Sequence, residues 1–233
     1  MDSIFKGHDI ITYDDILTTE EQNYFEQLFW YENRFPWYQR RQNFTVSTEQ
    51  GNYFKNNESI KDGPMMVHEF WNNGLYIKSA KGEGNQTKSE YFRLTDMLLQ
   101  KVCTYFKLEG INLIRAKANL MYQMQNGNKD LFNTPHTDTN DEHLVCIYFI
   151  NESDGDTIFF NKIPFGLSEL EYNEEMKKLG ENKLIPSKRV SPKKGRFLFF
   201  KGNIVHTGQH PINSDMRMIV NIDFKNEEKK WLL

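Results

Sequence analysis

The stretch that decides the fold runs from Gly195 to Phe224 and reads GRFLFFKGNIVHTGQHPINSDMRMIVNIDF. It holds three short runs rich in aromatic and β-branched residues, at Arg196–Phe200, Asn203–His206 and Arg217–Phe224, with turn-forming residues between them. Runs of this length and composition, bounded by glycine, asparagine or proline, predict β-strands. The same texture begins at about residue 111, where the chain adds predicted strands at Ile111–Gln125, His143–Ile150 and Thr157–Phe160.

The first 110 residues have a different pattern, which indicates helices. Thr18-Thr19-Glu20-Glu21 is a capping-box sequence, in which the first threonine and the last glutamate satisfy each other's backbone amides, and it predicts a helix to about Tyr31. Thr87-Lys88-Ser89-Glu90 has the same form. Leucine, valine and aromatic residues recur every three or four positions after it, so it predicts a second helix to about Phe106.

One further helix is predicted within the strand-rich half. It runs from about Ser168 to Leu179, inside an insertion near residues 162–189 that separates two predicted strands. Helices followed by many short strands indicate an α+β fold, with the strands forming a jelly-roll barrel. Since no long Pro- or Gly-rich linker interrupts the chain, we predict a single domain over residues 1–233, with a helical, aromatic-rich N-terminal elaboration at 1–110 and a β-barrel core at 111–225.

The composition of the 233 residues narrows the function. A net charge of −3 does not favour a protein that binds nucleic acid through bulk charge. No apolar run approaches the ~20 residues that a membrane-spanning helix needs, and the first residues lack a secretory signal, so we expect no membrane association. The two cysteines, Cys103 and Cys146, form no paired motif, which predicts a reducing, cytoplasmic environment.

The sharpest chemical signal is Pro135-His136-Thr137-Asp138. Side chains alternate along an extended chain, so His136 and Asp138 point to the same side and place an imidazole next to a carboxylate. Such a pair can bind one metal ion from adjacent positions. On its own a His-x-Asp pair is more common in a surface loop, so the interpretation depends on a third ligand.

That third ligand is predicted at His206, which ends the strand-like run Asn203–His206. Two histidines and one carboxylate on one face of a metal leave three coordination positions open, which is the facial arrangement of non-haem Fe(II) oxygenases. Neutral imidazoles and an ionised carboxylate suit Fe(II) and leave room for further ligands. His210 is the alternative third ligand, although it directly precedes a proline.

Arg217 begins the last apolar run, eleven residues after His206. An inward-pointing arginine in such a strand is costly unless a carboxylate meets it. Because a guanidinium binds carboxylates in a two-pronged geometry, a buried Arg217 predicts an anionic ligand or an acidic partner. An exposed arginine on an edge strand is the other interpretation, and Arg217 taken alone favours neither.

Taken together, these motifs resemble the 2-oxoglutarate- and Fe(II)-dependent oxygenase superfamily, and most closely its prolyl 4-hydroxylase-like branch. The resemblance covers about Ile114 to Phe224, roughly half of the chain. Within the first 110 residues it extends only to the presence of helices. It rests on the order of the motifs, which is His136-x-Asp138, Gly155-Asp156-Thr157-Ile158-Phe159, the phenylalanine-rich run Pro192–Phe200, His206-Thr207-Gly208 and finally Arg217.

The resemblance implies a double-stranded β-helix in which His136, Asp138 and His206 hold Fe(II). It implies 2-oxoglutarate as cosubstrate, bound to the iron at one end and to Arg217 at the other, with O2 as the oxidant. Many prolyl hydroxylases carry lysine in place of this arginine, so the chain departs from that branch here. Tyr122 matches a position where relatives place a tyrosine that hydrogen-bonds the same carboxylate, and a core aromatic is the other interpretation of this residue.

The implied function is hydroxylation of an unactivated C–H bond, with a protein or peptide side chain such as proline as the expected substrate. The same chemistry on a small molecule or free amino acid is the alternative. A non-redox metal-binding barrel and a binding module without turnover are hypotheses from other classes. Relatives that demethylate nucleobases carry a second arginine where this chain has Asp223, so no nucleic-acid partner is expected.

The aromatic segment Phe35–Arg41 bears on the choice of substrate. One interpretation is that it fills the seam between the N-terminal helices and the barrel. The other is that it lines the mouth of the site, where an extended peptide could lie against aromatic faces. Of these two interpretations, the seam is the preferred one.

Overall fold

The computed structural model describes residues 2–30, 35–40, 53–54, 57–73, 87–125, 127–182 and 184–226. Its helices are α1 (Asp2–Phe5), α2 (Thr19–Trp30), α3 (Phe92–Phe106) and α4 (Glu169–Glu181). Its strands are β1 (Ile10–Tyr13), β2 (Tyr38–Arg40), β3 (Met65–Asn72), β4 (Thr87–Lys88), β5 (Ile111–Tyr122), β6 (Leu144–Phe149), β7 (Thr157–Lys162), β8 (Lys188–Val190), β9 (Phe197–Lys201), β10 (Ile204–Gly208) and β11 (Met216–Asn226). No helix in these ranges has the length and apolarity needed to cross a membrane.

Two antiparallel sheets form the centre of the fold. In the larger sheet the strands follow the order β1-β9-β6-β11-β5-β3-β2, with β4 paired to β3, and in the smaller sheet the order is β10-β7-β8. An isolated antiparallel bridge between His136 and His206 attaches a further extended segment to β10. This α+β arrangement confirms the jelly-roll fold that the sequence predicts.

Side chains of the larger sheet alternate between two apolar layers. On one face, Val220 of β11 lies in a cluster with Phe25 of α2 and Leu98 of α3. On the other face, Ile219 lies in a cluster with Phe159 of β7. Because successive side chains of a strand point to opposite faces, β11 presents every second side chain to the space between the two sheets.

Helix α4 covers the outer face of the smaller sheet. Tyr172 of α4 packs in one cluster with Ile158 of β7 and Val205 of β10. The smaller sheet therefore has apolar contacts on both faces, and the first four residues of β7 and of β10 are all buried rather than alternately buried and exposed.

Two of the three predicted helix starts have the expected caps. The Thr18 amide donates a hydrogen bond to the Glu21 carboxylate (2.9 Å), and the Glu21 amide donates one to the Thr18 hydroxyl (3.3 Å). Ser168 and Glu171 form the same reciprocal pair at the start of α4, with distances of 2.9 and 3.3 Å. Both helices begin one residue after the cap, as a capping box requires.

The capping box predicted at Thr87 is wrong. Residues Thr87–Lys88 form β4 and pair with β3, and α3 begins only at Phe92, without a side-chain cap. The Thr87 hydroxyl instead donates a hydrogen bond to the Glu69 carboxylate (2.8 Å). A threonine hydroxyl can form hydrogen bonds in a strand as well as cap a helix. Here the hydrogen bond to a residue of another strand takes the place of the helix cap that the local sequence predicts.

The first 110 residues also extend the larger sheet, which the sequence analysis did not predict. They contribute β1 to β4, and β3 pairs with β5 on one side and β2 on the other. The β3 sequence, MMVHEFWN, lacks a polar–apolar alternation. Both faces of this strand are covered, because the adjacent residues Val67 and His68 point to opposite faces and are both buried, and such strands carry no period-two signal.

The aromatic segment that follows α2 packs into the seam between helices and sheet. Phe35 is buried against Phe29, with ring centroids 4.6 Å apart, and Trp37 packs on Phe35 at 4.9 Å. Tyr38 remains 62% exposed on β2. The seam interpretation is confirmed for Phe35 and Trp37, while Arg41 lies outside the described residues.

Replacing Leu98 by Ala tests the layer between α3 and the larger sheet. Leu98 is 0% exposed, so we expect the free energy of unfolding to fall by about 2–5 kcal/mol, the usual loss for a buried leucine. The matched control is Leu170→Ala, because Leu170 is 70% exposed on α4, and its effect should stay within about 0.5 kcal/mol. Denaturant unfolding of the two variants measures both values, and equal losses would contradict this account of the layer.

Candidate metal centre

A cavity of about 330 Å³ lies between the two sheets. Its walls come from the inner faces of β5 and β11 on one side, and from β10 and residues 133–140 on the other. Four residues from three separate sequence motifs, His136, Asp138, His206 and Arg217, all line this cavity.

The segment that carries His136 and the strand β10 bring three ligand atoms together. The backbone amides of His136 and His206 each donate to the other's carbonyl at 2.9 Å, and the two ring centroids lie 4.9 Å apart. Asp138 Oδ2 lies 3.4 Å from His206 Nε2. The three candidate ligand atoms all lie within 4.8 Å of one another, a spacing that a single ion can bridge.

Hydrogen bonds hold both imidazoles in the form that binds a metal. Nδ1 of His136 lies 3.2 Å from the Thr134 carbonyl, and Nδ1 of His206 lies 3.0 Å from the Ile204 carbonyl. A carbonyl oxygen only accepts hydrogen bonds, so each Nδ1 carries the proton and each Nε2 keeps its lone pair. Burial, together with the neighbouring His206, lowers the pKa of His136 to about 3, which keeps this ring neutral near pH 7.

The segment before His136 is braced by the N-terminal part of the chain. The Asp62 carboxylate accepts hydrogen bonds from the amide and the hydroxyl of Thr134, each at 2.8 Å. The Gly63 amide donates to the side-chain oxygen of Asn133 at 3.2 Å. These contacts fix the extended backbone that leads into His136.

The side chain of Asp138 is 3% exposed and is surrounded by positive charge. Its Oδ1 pairs with the Arg115 guanidinium and lies 3.8 Å from Lys117 Nζ. Burial alone would raise the pKa of Asp138, but these two cations hold it well below its usual range. Asp138 is therefore ionised, as a carboxylate ligand must be.

These residues fit a divalent ion of the Fe(II) type. Two imidazole lone pairs and one ionised carboxylate converge on one point. These electron-rich atoms repel one another, and a cation placed between them would attract all three. His136 and His206 come from the side of the smaller sheet, and together with Asp138 they line the cavity. The donor set is the two-histidine, one-carboxylate set of non-haem iron sites.

Arg217 lies in the same cavity. It is 2% exposed, and β11 is in the middle of the larger sheet, so the edge-strand interpretation is wrong. Its Nη2 donates to the Thr157 hydroxyl (2.8 Å), and the guanidinium carbon lies 5.6 Å from the Phe149 ring centroid. Within the described ranges its Nε has no hydrogen-bond partner, and no carboxylate forms an ion pair with it. Burial lowers the pKa of Arg217 to about 10, so the group remains charged and is suited to an anion.

Tyr122 and His210 lie outside the cavity. Met121 points into it, so Tyr122, the next residue of β5, points to the opposite face and is 46% exposed. The resemblance implied that Tyr122 lies near Arg217, but the structure does not bring the two side chains together. Nδ1 of His210 lies 2.9 Å from the Tyr122 carbonyl, away from the candidate ligands. His206 is the histidine that lies within reach of His136 and Asp138.

The cavity also holds polar residues that were not predicted from the sequence, among them Arg115 and Lys117 of β5 and Asn221 of β11. A signal was present, because in β5 the polar residues alternate with small apolar ones, reading IRAKANL over residues 114–120. The β5–β11 register places Arg115 opposite Asp223 and Lys117 opposite Asn221. Polar residues along one face of two neighbouring central strands indicate a polar cavity. The sequence does not show that these two strands are paired, so the indication becomes apparent only in the structure.

No protein-family model and no curated protein matches this sequence. Among solved structures, an oxidoreductase of the 2OG-Fe(II) oxygenase family from Burkholderia pseudomallei is similar, with a TM-score of 0.57 at 10% identity over 95% of this chain and 87% of that one. This chain has the fold of these oxygenases. The non-heme α-ketoglutarate-dependent carbocyclase SnoK from nogalamycin biosynthesis gives a TM-score of 0.53 at 9% identity, over 95% of this chain and 81% of that one. A collagen prolyl hydroxylase of Paramecium Bursaria Chlorella virus-1 gives a TM-score of 0.46 at 12% identity, over 95% of this chain and 98% of that one.

Replacing His136 by Ala tests the metal centre. The substitution removes one of three ligands, so we expect measurable Fe(II) binding to be lost while the circular dichroism spectrum stays unchanged. The matched control is His210→Ala, because His210 is also a buried histidine but lies outside the cavity. Anaerobic equilibrium dialysis measures the bound iron, and unchanged affinity in His136→Ala would exclude this residue as a ligand.

Proposed function

We propose that this protein is a 2-oxoglutarate- and Fe(II)-dependent dioxygenase that hydroxylates an unactivated C–H bond. The observation that carries the proposal is the position of Arg217, a buried cation without an ion-pair partner in the described ranges, in the same cavity as three converging metal ligands. A molecule that chelates a metal at one end and carries a carboxylate at the other satisfies both features, and 2-oxoglutarate is such a molecule. A non-redox metal-binding barrel has no use for the arginine.

In this proposal, His136, Asp138 and His206 hold the iron. Bound Fe(II), with 2-oxoglutarate and O2, supplies oxidative decarboxylation to succinate and CO2 coupled to hydroxylation of the substrate. The contribution of the chain is orientation and charge. The Nδ1 hydrogen bonds keep both imidazoles turned toward the ion, and Arg115 and Lys117 keep the carboxylate ionised.

Arg217 binds the far carboxylate of the cosubstrate. Thr157 accepts one of its hydrogen bonds, so the guanidinium has a set direction and keeps N–H groups for a two-pronged contact. Gly155 packs behind it, where a Cβ would lie 2.5 Å from the Gln209 carbonyl oxygen and 3.1 Å from Arg217 Cδ. Any other residue at position 155 would displace these neighbours, so the glycine allows the arginine stem to lie where it does.

Apolar side chains limit water around the site. Met65, Met121, Ile147 and Ile219 contribute apolar surface to the wall of the cavity. Exclusion of water strengthens the contact between Arg217 and a carboxylate, and it protects reactive species from side reactions.

The proposed substrate is a single side chain of a protein or peptide, such as proline, and a small molecule or free amino acid is the alternative. The cavity of about 330 Å³ lies at the lower end of the range for ligand sites, roughly 300–1,000 Å³, so it suits the cosubstrate with one side chain or one small molecule. The packing of Phe35 and Trp37 in the seam favours the alternative, because these aromatics do not line the cavity.

A cytoplasmic location stays a prediction. It is supported by Cys103 and Cys146, which are both free thiols, as expected of a protein in a reducing compartment.

The direct test is anaerobic titration of the protein with Fe(II) and then 2-oxoglutarate. We expect the weak visible charge-transfer band that a 2-oxo acid gives when it chelates Fe(II). Binding of Zn(II) or Fe(II) with no such band would favour the non-redox barrel. Succinate release in air, compared between proline-containing peptides and free amino acids, then separates the two substrate classes.

Replacing Arg217 by Met tests the cosubstrate contact. We expect 2-oxoglutarate binding to weaken by about 2–5 kcal/mol, the usual loss when one partner of a buried charge pair is removed, while Fe(II) binding survives. The ligand-free protein should unfold at a higher temperature, because a buried cation without a partner is replaced by an apolar chain. The control is Arg196→Met, which removes a surface pair with Asp14 and should leave 2-oxoglutarate affinity unchanged. Normal affinity in the Arg217 variant would require another cation for the cosubstrate.

A further inference from the structure

Arg115 and Asp223 form a buried ion pair across two strands, next to the candidate metal ligands. The two residues are register partners in the β5–β11 pairing. Nε and Nη2 of Arg115 lie 2.9 and 2.7 Å from Oδ2 of Asp223. The same Nη2 also pairs with Oδ1 of Asp138. One guanidinium therefore joins two carboxylates that come from different parts of the chain.

These three groups are shielded from water. The side chains of Asp138 and Asp223 are 3% and 2% exposed, and that of Arg115 is 19% exposed. In such surroundings Coulomb attraction is strong, and neither carboxylate can exchange its partner for solvent. The position of Arg115 is thus set by two charged contacts at once.

The contact makes the two oxygens of Asp138 unequal. Oδ1 pairs with Arg115, whereas Oδ2 lies 3.4 Å from His206 Nε2, toward the other candidate ligands, and accepts a long hydrogen bond (3.5 Å) from Asn221 Nδ2. A carboxylate without such a partner can coordinate a metal through one oxygen or through both. Here two-oxygen coordination would require Asp138 to give up its bond to Arg115.

We infer that Arg115 is a positioning residue that limits Asp138 to coordination through one oxygen, and that Asp223 anchors Arg115 for this task. The inference rests on the proposed function, because it requires a metal ion between His136, Asp138 and His206. Charge by itself predicts the opposite effect, since a guanidinium repels a divalent ion and its loss would tighten binding. An orienting role predicts weaker binding, so the sign of the change separates the two.

The main test is the double variant Arg115→Met/Asp223→Asn. It removes one positive and one negative charge, so the net charge of the site is unchanged. The guanidinium contact to Asp138 is lost, while Lys117 stays near Oδ1. We expect Co(II), used as a redox-stable probe, to bind roughly 10–100-fold more weakly, the usual effect of losing a partner of a metal ligand. Calorimetry measures the affinity. The visible spectrum of bound Co(II) should also change, because Asp138 can then coordinate through both oxygens.

Two further variants separate orientation from folding. Arg115→Asp/Asp223→Arg exchanges the pair at the same register position, so a guanidinium again lies between two carboxylates, and most of the Co(II) affinity should return. Arg115→Lys keeps the charge but loses the fork that reaches both carboxylates, so it should bind Co(II) more weakly than the unsubstituted protein. Arg196→Met is the control, because it breaks a distant surface pair and should not alter Co(II) binding.

The outcomes distinguish this inference from the proposed function. If the double variant binds Co(II) with the affinity of the unsubstituted protein and with the same visible spectrum, the inference is overturned and the proposed function is not. If the double variant does not fold, equal or tighter Co(II) binding by Arg115→Lys overturns it instead. Failure of the unsubstituted protein to bind Co(II), or to give the charge-transfer band with Fe(II) and 2-oxoglutarate, would overturn the proposed function itself.

Discussion

Charged groups between the two sheets must find their counter-charges there, because apolar layers separate them from water. Arg115 meets this requirement through Asp138 and Asp223, and the resulting field keeps Asp138 ionised. Arg217 does not meet a carboxylate of the described chain, so its compensation is left to a ligand. In the proposed function, this one electrostatic requirement accounts both for Asp138 as a metal ligand and for Arg217 as the residue that binds an anion.

The rest of the fold buries β5 and β11, and this burial removes their charged side chains from water. These strands are neighbours in the middle of the larger sheet, and their inner faces carry the polar residues of the cavity. Their outer faces carry Ala116, Ala118 and Val220, which are covered by α2 and α3. The N-terminal half therefore closes the sheet from outside and extends it through β3, and Asp62 braces the segment that leads into His136.

Much of the fold could be predicted from the sequence because the signals are local. The strand-rich half carries short apolar runs between turns, and the caps at Thr18 and Ser168 are satisfied by residues three positions away. The prediction was wrong at Thr87, where the partner is Glu69 on another strand. It also missed β3, whose two covered faces remove the alternation that identifies a strand.

The sequence by itself determined which residues have the chemistry of the site. His206 and Arg217 stand out because imidazole and guanidinium groups are rare within apolar strands. His136 and Asp138 stand out because a His-x-Asp spacing places two ligands on one side of an extended chain. Only the tertiary structure decided which of the other polar residues join them. Tyr122 is excluded because it lies one position out of phase with the inner face of β5, and Arg115 is included because the β5–β11 register places it against Asp223 and Asp138. Strand register and strand order depend on contacts between residues about a hundred positions apart, and no local pattern contains them.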